Sequence, residues 1–306
     1  MNTKESVITP EQIKTIASQL KKTRAAYEPL IDFHSEMFIA QEESKKYLDL
    51  EPLILEPKNV KIKIDSGNSL TDTSAFIVDL NQAEELLVKI CDIAQKRAVE
   101  LRGSAEKIVE SLSNKSLNVR ELFNSLLQND RETFKNIAQN LNLNEDVLVF
   151  FICQSMLPSV ETCAAQLAHY LQSESEAASL DEQFVWNRGY CPICGNYPQM
   201  AFLNQSGEKH LICSFCMHSW KASRMGCSLC QNKEKDKQHY FFNEEEKEYR
   251  VDLCDNCGQY IKVVDVRELS RAFYAPLEML CTIHLDMQAM GHGYTSVVPN
   301  EISESK

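Results

Sequence analysis

The stretch that decides the reading is CPICGNYPQMAFLNQSGEKHLICSFC, Cys191–Cys216, followed ten residues later by CSLCQNKEKDKQHYFFNEEEKEYRVDLCDNC, Cys227–Cys257. It contains four CxxC pairs: Cys191/Cys194, Cys213/Cys216, Cys227/Cys230 and Cys254/Cys257. A CxxC pair sets two sulfurs at the tip of a tight turn, which is half of a tetrahedral metal site. Eighteen residues separate the first pair from the second and 23 the third from the fourth, whereas only 10 lie between Cys216 and Cys227. The pairing is therefore first with second and third with fourth, each in the spacing of a four-cysteine metal ribbon.

Each longer interval has room for a hairpin that folds one knuckle back over the other. The first would run from Gln199–Leu203 to Lys209–Ile212 around Ser206-Gly207, and the second from Tyr240–Phe242 to Tyr249–Leu253. Gly195 and Gly258 follow two of the knuckles, where positive φ is expected, but Met217 and Gln231 follow the other two, so the pattern is asymmetric. A disulfide framework would need an oxidising compartment and usually a short secreted chain. A redox dithiol needs one CxxC at a strand-to-helix turn, not four in series. Modules this small must take their stability from metal.

The chain has 306 residues, enough for two domains. With 32 basic and 44 acidic residues it carries a net charge of −12, which argues against nucleic-acid binding, since that rests on clustered Lys and Arg. The mixed-sign run Asn232–Lys237 with Glu244–Glu248 reads as a solvated hairpin rim. No secretory signal is visible at the amino terminus. The longest apolar run lies within Val147–Leu157, short of the roughly 20 residues that span a bilayer. Unpaired cysteines and no membrane segment together place the chain in a reducing cytoplasm.

Ahead of the cysteines the periodicity is helical. Thr9-Pro10-Glu11-Gln12 has the form of a capping box, and Ile13, Ile16, Ala17 and Leu20 follow at helical spacing. A second helix starts near Pro29, with a break near Gln41 allowed by its length. Further helices are expected over Asp79–Leu101, Val119–Gln128, Arg131–Leu141 and Asn144–Leu157, with a new one opening at Pro158. Glu51–Asp79 reads as a long surface connection, its alternating Val60, Ile62 and Ile64 extended or paired as a strand, and its polar tip Asp65–Ser74 disordered. A polar stretch, Ser173–Gln183, would act as a hinge, and Arg267–Met290 would form a closing helix. The expected class is α with a small β part: an all-α domain over 1–185, four-cysteine modules over 186–226 and 227–266, and a C-terminal helix and tail over 267–306.

Outside the knuckles, Cys91, Cys153, Cys163 and Cys281 read as small buried hydrophobes on helices. His210 and His218 flank the second knuckle, but eight cysteines already complete two sites. No catalytic set emerges and no phosphate-cradling glycine motif is present, so no enzyme is expected. Most of the aromatics crowding 186–260 must be local core, leaving two or three for a partner surface.

The ordered motifs CPICG, CSFC, CSLC and CDNCG behind a helical region, with Gly293-Tyr294, Ser296, Pro299 and Asn300 in the tail, resemble the formate dehydrogenase accessory protein family, FdhE. The resemblance implies a helical domain followed by two rubredoxin-like modules. It also implies a cytoplasmic factor needed for active respiratory formate dehydrogenase, which binds iron and contacts the enzyme's catalytic subunit before export. By that resemblance the ligands are Cys191, Cys194, Cys213 and Cys216 in one module and Cys227, Cys230, Cys254 and Cys257 in the other, with no catalytic residue. A tetrahedral four-thiolate cage suits zinc or a single iron. The Pro192 and Gly195 knuckle is of the rubredoxin kind and favours iron. The alternative function is a rubredoxin-type electron carrier or redox sensor.

Overall fold

The computed structural model describes residues 8–177 and 186–297, with the side chains of 172–177 left undescribed. The chain divides into two compact units, one formed by residues 1–52 and 73–163, the other by 53–72 and 164–306. The first is helical and the second carries the sheet, so the architecture is α with a small β part, as the sequence indicates.

The helices are α1 (Pro10–Thr23), α2 (Glu28–Ser44), α3 (Pro57–Asp65), α4 (Leu80–Arg97), α5 (Val99–Ser113), α6 (Val119–Leu127), α7 (Arg131–Asn140) and α8 (Glu145–Ala177). In the first unit α1 opens on the expected capping box. The Thr9 hydroxyl accepts from the Gln12 N–H at 3.3 Å, and the Gln12 side chain accepts from the Thr9 N–H at 2.8 Å. Ile13, Ile16, Ala17 and Leu20 form its buried stripe. Asp79, Asn118 and Asp130 cap α4, α6 and α7. Helix α1 packs on α2, α2 on α4 and α4 on α5. The helix read over Asp79–Leu101 ends earlier, at Arg97, and α5 follows after a break at Ala98.

Pro158 does not open a new helix. Helix α8 runs through it for 33 residues. Proline lacks the N–H that would reach the carbonyl four residues back, which is that of Gln154. The buried Gln41 of α2 fills the gap, its Nε2 donating to the Gln154 carbonyl at 2.7 Å. The neighbouring helix thus supplies the bond the proline cannot, and α8 continues. Its segment Glu145–Leu171 is also long and apolar enough to cross a membrane, unlike the shorter run read from sequence, but 56% of its most apolar window is buried within the molecule. Leu148, Phe151, Ile152 and Met156 are at most 1% exposed, which is how a core helix behaves.

The second unit holds β1 (Pro198–Leu203), β2 (Lys209–Cys213), β3 (Ser219–Ala222), β4 (Gln238–Phe242), β5 (Tyr249–Cys254), β6 (Gln259–Asp265), α9 (Ala275–Cys281), α10 (Ile283–Gly291) and β7 (Thr295–Ser296). The strands order as β3-β2-β1-β6-β5-β4, with β7 beside β6. Both expected hairpins, β1–β2 and β4–β5, are present. A parallel pairing of β1 with β6, Ala201 opposite Val263, joins them into one sheet.

One face of β5 and β6 presents Tyr249, Val251, Leu253, Tyr260 and Val264 to Leu285 and Ala289 of α10. Two buried ion pairs clamp the helices there. Glu278, fully buried, accepts from Arg271 and from the Tyr249 hydroxyl at 2.7 Å, and Asp286 accepts from Lys262 at 2.6 Å and the Tyr260 hydroxyl at 3.0 Å. The closing helix expected over Arg267–Met290 is therefore two helices starting only at Ala275, because 267–274 is spent carrying Arg271 to Glu278.

The reading of Glu51–Asp79 is corrected. Val60, Ile62 and Ile64 lie on the helix α3, entered through Pro57, and not on a strand. The tip read as disordered is ordered: Leu70 is fully buried, and its N–H and that of Thr71 bond to the Pro192 and Ile193 carbonyls at 2.8 and 2.9 Å. The hinge expected over Ser173–Gln183 lies largely outside the described residues, as do Pro299 and Asn300.

Replacing Gln41 with Leu leaves the Gln154 carbonyl buried without a donor. The expected cost is about 1–3 kcal/mol, read as a lower urea midpoint of the helical far-UV signal.

Candidate metal centres

Each knuckle is a tight turn closed by its own backbone. The N–H groups of Cys191, Cys213 and Cys227 bond to the carbonyls of Asn196, His218 and Asn232 at 2.8, 3.0 and 2.8 Å. The residue after each second cysteine has positive φ: Gly195 77°, Met217 57°, Gln231 63° and Gly258 69°. The asymmetry read from the sequence is thus one of residue type only, and all four turns need the same left-handed backbone. Met217 and Gln231 adopt it at a cost of roughly 1 kcal/mol each. Side-chain bonds partly offset this, Gln199 to the Met217 sulfur at 3.2 Å and Gln231 to the Ser228 carbonyl at 3.2 Å.

The sulfurs converge in two groups, Cys191/Cys194/Cys213/Cys216 and Cys227/Cys230/Cys254/Cys257, with all ligand atoms of a group within 4.8 Å of one another. In the first, Cys191 lies 3.7 Å from Cys216, and Cys194 lies 3.4 Å from Cys213 and 3.6 Å from Cys216. In the second, Cys227 is 3.9 Å from Cys257 and Cys230 is 3.8 Å from Cys254. Bonds of about 2.3 Å from a tetrahedral metal would place sulfurs about 3.8 Å apart, so both groups could hold an ion with little movement. No disulfide forms among the described residues, and all twelve cysteines are free.

The hydrogen bonds favour thiolates. Backbone N–H groups point at the first sulfur of a knuckle, Phe215 at Cys213 and Leu229 at Cys227, each at 3.4 Å. Side-chain amides reach others, Asn196 to Cys194 at 3.6 Å, Asn256 to Cys230 at 3.4 Å and Gln238 to Cys254 at 3.4 Å. Four thiols this close cannot all ionise unaided. Bonds from Cys191, Cys213 and Cys216 hold Cys194 far below the ordinary thiol range, while burial drives Cys191 well above it. In the second group burial pushes Cys227 up to about 11. Desolvation raises Cys230 too, but hydrogen bonds from Asn232 and Asn256 outweigh it and leave it at about 7. A bound cation removes this conflict, since a coordinating thiol is deprotonated outright.

The two groups differ in access. All four cysteines of the first are buried, whereas Cys230 of the second is exposed and Cys257 half-buried. The first is enclosed by the strap at 67–71, where the Ser69 hydroxyl donates to the Cys191 carbonyl at 3.0 Å and the Tyr190 hydroxyl to the Gly67 carbonyl at 2.6 Å. These supporting residues were not found from sequence, because Ser69 and Cys191 are 122 positions apart with no local pattern to link them. Gly189 was missed too. A Cβ there would lie 2.2 Å from the Leu229 carbonyl oxygen, so this close approach between the first and third knuckles admits only glycine.

Neither flanking histidine joins a sulfur group. His210 stacks on Phe202 with centroids 5.1 Å apart, and burial pushes His218 down to about 4, keeping it neutral. Cys91, Cys163 and Cys281 are buried and Cys153 partly so; desolvation drives Cys91 and Cys153 up to about 12, as inert thiols. Among the aromatics Trp186, Trp220, Tyr249 and Tyr260 are core, while Tyr197, Tyr240 and Phe242 are exposed.

No family model matches the chain. It is 24% identical over 250 residues to a protein of Aquifex aeolicus named Protein FdhE homolog, covering 80% of this chain and 78% of that one. Over 141 residues it is 28% identical to Protein FdhE of Escherichia coli, a match spanning 44% of this chain and 43% of that protein. In fold it is similar to the crystal structure of the FdhE protein from Pseudomonas aeruginosa, with a TM-score of 0.60 over 96% of this chain and 95% of that one at 18% identity. The chain thus resembles the FdhE family in sequence and in fold, as its four cysteine motifs imply.

Leu70→Ala empties the centre of the strap. It is expected to cost about 2–5 kcal/mol and to speed amide hydrogen exchange at Leu70 and Thr71, measured by mass spectrometry.

Proposed function

We propose that this chain is a non-catalytic accessory factor for respiratory formate dehydrogenase, acting in the cytoplasm on the enzyme's immature catalytic subunit. The helical region over 1–185 and the modules over 186–226 and 227–266, closed by 267–306, form its working parts. Cys191, Cys194, Cys213 and Cys216 hold one iron ion, and Cys227, Cys230, Cys254 and Cys257 hold a second. The observation that carries the reading is the convergence of all eight motif cysteines into two complete four-sulfur groups. Similarity in sequence to proteins named FdhE supports it.

A closed set of four thiolates leaves no open coordination position for substrate, which suits a structural or one-electron site better than a hydrolytic one. In the first group, buried and strapped, the metal stabilises the fold around it. In the second, with Cys230 at the surface, it stands next to solvent and to a partner. The exposed pair Tyr240 and Phe242, ring centroids 6.2 Å apart on β4, gives that side an aromatic surface suited to a protein contact.

Anaerobically purified protein is expected to contain two iron ions per chain and to absorb visible light in the ferric state; a colourless zinc protein would replace iron in this reading. Cys194→Ser and Cys227→Ser should each lose one of the two ions by metal analysis. Tagged chain from formate-grown cells is expected to capture the catalytic subunit, and its deletion to abolish formate oxidation. Intact oxidation without it would refute the accessory role.

A further inference from the structure

The face of the sheet opposite α9 and α10 carries a pocket of about 170 Å³ beside the second sulfur group. Successive residues of β5 point to opposite faces. While Tyr249 and Val251 pack in the helical core, Arg250 and Asp252 line the pocket, with Lys209 from β2, Arg224 and Ser228 around them.

The charge of this pocket runs against that of the chain. Lys209, Arg224 and Arg250 bring three cationic side chains, and Asp252 is the only carboxylate in the lining, in a molecule with a net charge of −12. Asp252 is shared, 2.8 Å from the Lys209 ammonium and 2.9 Å from Arg250 Nε. Among the side chains outside the sulfur group, three cations thus stand against one carboxylate, while Cys227 and Cys254 of that group border the same pocket.

Two donors in the wall make no hydrogen bond. Arg250 Nε is near Asp252 but off the line of its N–H, and it is buried without a hydrogen bond. The Ser228 hydroxyl is also buried and unpaired, on a residue only 6% exposed. A buried polar group without a partner costs roughly 1–3 kcal/mol, a penalty that a ligand offering acceptor oxygens removes. Lys209, 3% exposed, sits with Ser228 at the floor, and the exposed Arg224 and Tyr240 stand at the mouth. The Arg250 guanidinium lies 6.0 Å from the Tyr240 ring centroid, which aims its planar fork.

We propose that this pocket is a carboxylate-binding site, with Arg250, Arg224 and Lys209 supplying charge and Ser228 a neutral hydrogen bond. A carboxylate fits the paired donors of guanidinium groups. Its single charge also suits a wall that already contains Asp252, where a phosphate dianion would meet stronger repulsion. The volume exceeds that of an engineered cavity of about 150 Å³ that binds benzene, so a carboxylate on a short side chain fits. The pocket borders the second sulfur group, with Cys227 and Cys254 in its wall, but none of its proposed carboxylate-binding residues is a sulfur ligand, and the proposal stands whether or not the accessory role does.

The test uses the full metal-loaded chain and follows backbone amide shifts by NMR as sodium acetate is added, with sodium chloride as control. Acetate should shift the pocket amides where chloride does not. Arg250→Gln and Ser228→Ala should weaken acetate, the former about tenfold, with metal content unchanged. Asp252→Asn, which removes the repelling charge, should tighten it, an opposite response that mere loss of structure would not give. A short tyrosine-containing peptide with a free carboxy terminus and its amide identify the source. Tighter binding of the free acid than acetate points to a polypeptide ligand, and equal binding to a free small carboxylate. No acetate-specific shift, or equal affinity in all three variants, would overturn the proposal.

Discussion

The structure of the second unit depends on bringing four sulfurs within van der Waals distance of one another, twice. Thiolates packed at 3.4–3.9 Å repel unless a cation sits among them. Everything near them works to hold that arrangement: left-handed residues after each knuckle, backbone and amide donors aimed at sulfur, and hairpins that carry the knuckles. Modules of this size bury little apolar surface on their own, so the sulfur groups add to what the packing of β5 and β6 on α10 supplies.

The modules are not independent beads. The parallel pairing of β1 with β6 makes their hairpins one sheet, and Gly189 lets the approach to the first knuckle lie against the carbonyl of Leu229 in the third. The sheet has two unlike faces. One is closed by α9 and α10 through apolar packing and the Arg271–Glu278 and Lys262–Asp286 pairs, each satisfied by a tyrosine hydroxyl. Such buried pairs add fixed geometry more surely than stability, because desolvation of the ions cancels much of their attraction. The other face keeps charged and unpaired groups around a pocket.

The two sulfur groups, built on the same plan, have different surroundings. Enclosure by Ser69, Leu70 and Thr71 shields the first, while the second reaches solvent at Cys230. Solvent access sets how readily a thiolate site exchanges its metal or meets an oxidant. One chain thus combines a protected site with an accessible one, and the exposed Tyr240 and Phe242 stand on the accessible module.

The sequence by itself determined the cysteine groups, the two hairpins and the capped helix at Pro10, because each rests on spacing or on contacts a few residues apart. Thr9 and Gln12 are three positions apart, and CxxC is a single turn. Only the tertiary structure decided what depends on distant partners. Gln41 rescues Gln154 and keeps α8 whole through Pro158. The polar tip of 65–74 is ordered by the knuckle more than a hundred residues later. Val60, Ile62 and Ile64 follow α3, an alternation that suits a strand overridden by helical packing of Val60. Lys209, Arg250 and Asp252 meet only because the sheet brings β2 and β5 to one pocket, and no local pattern encodes such a meeting.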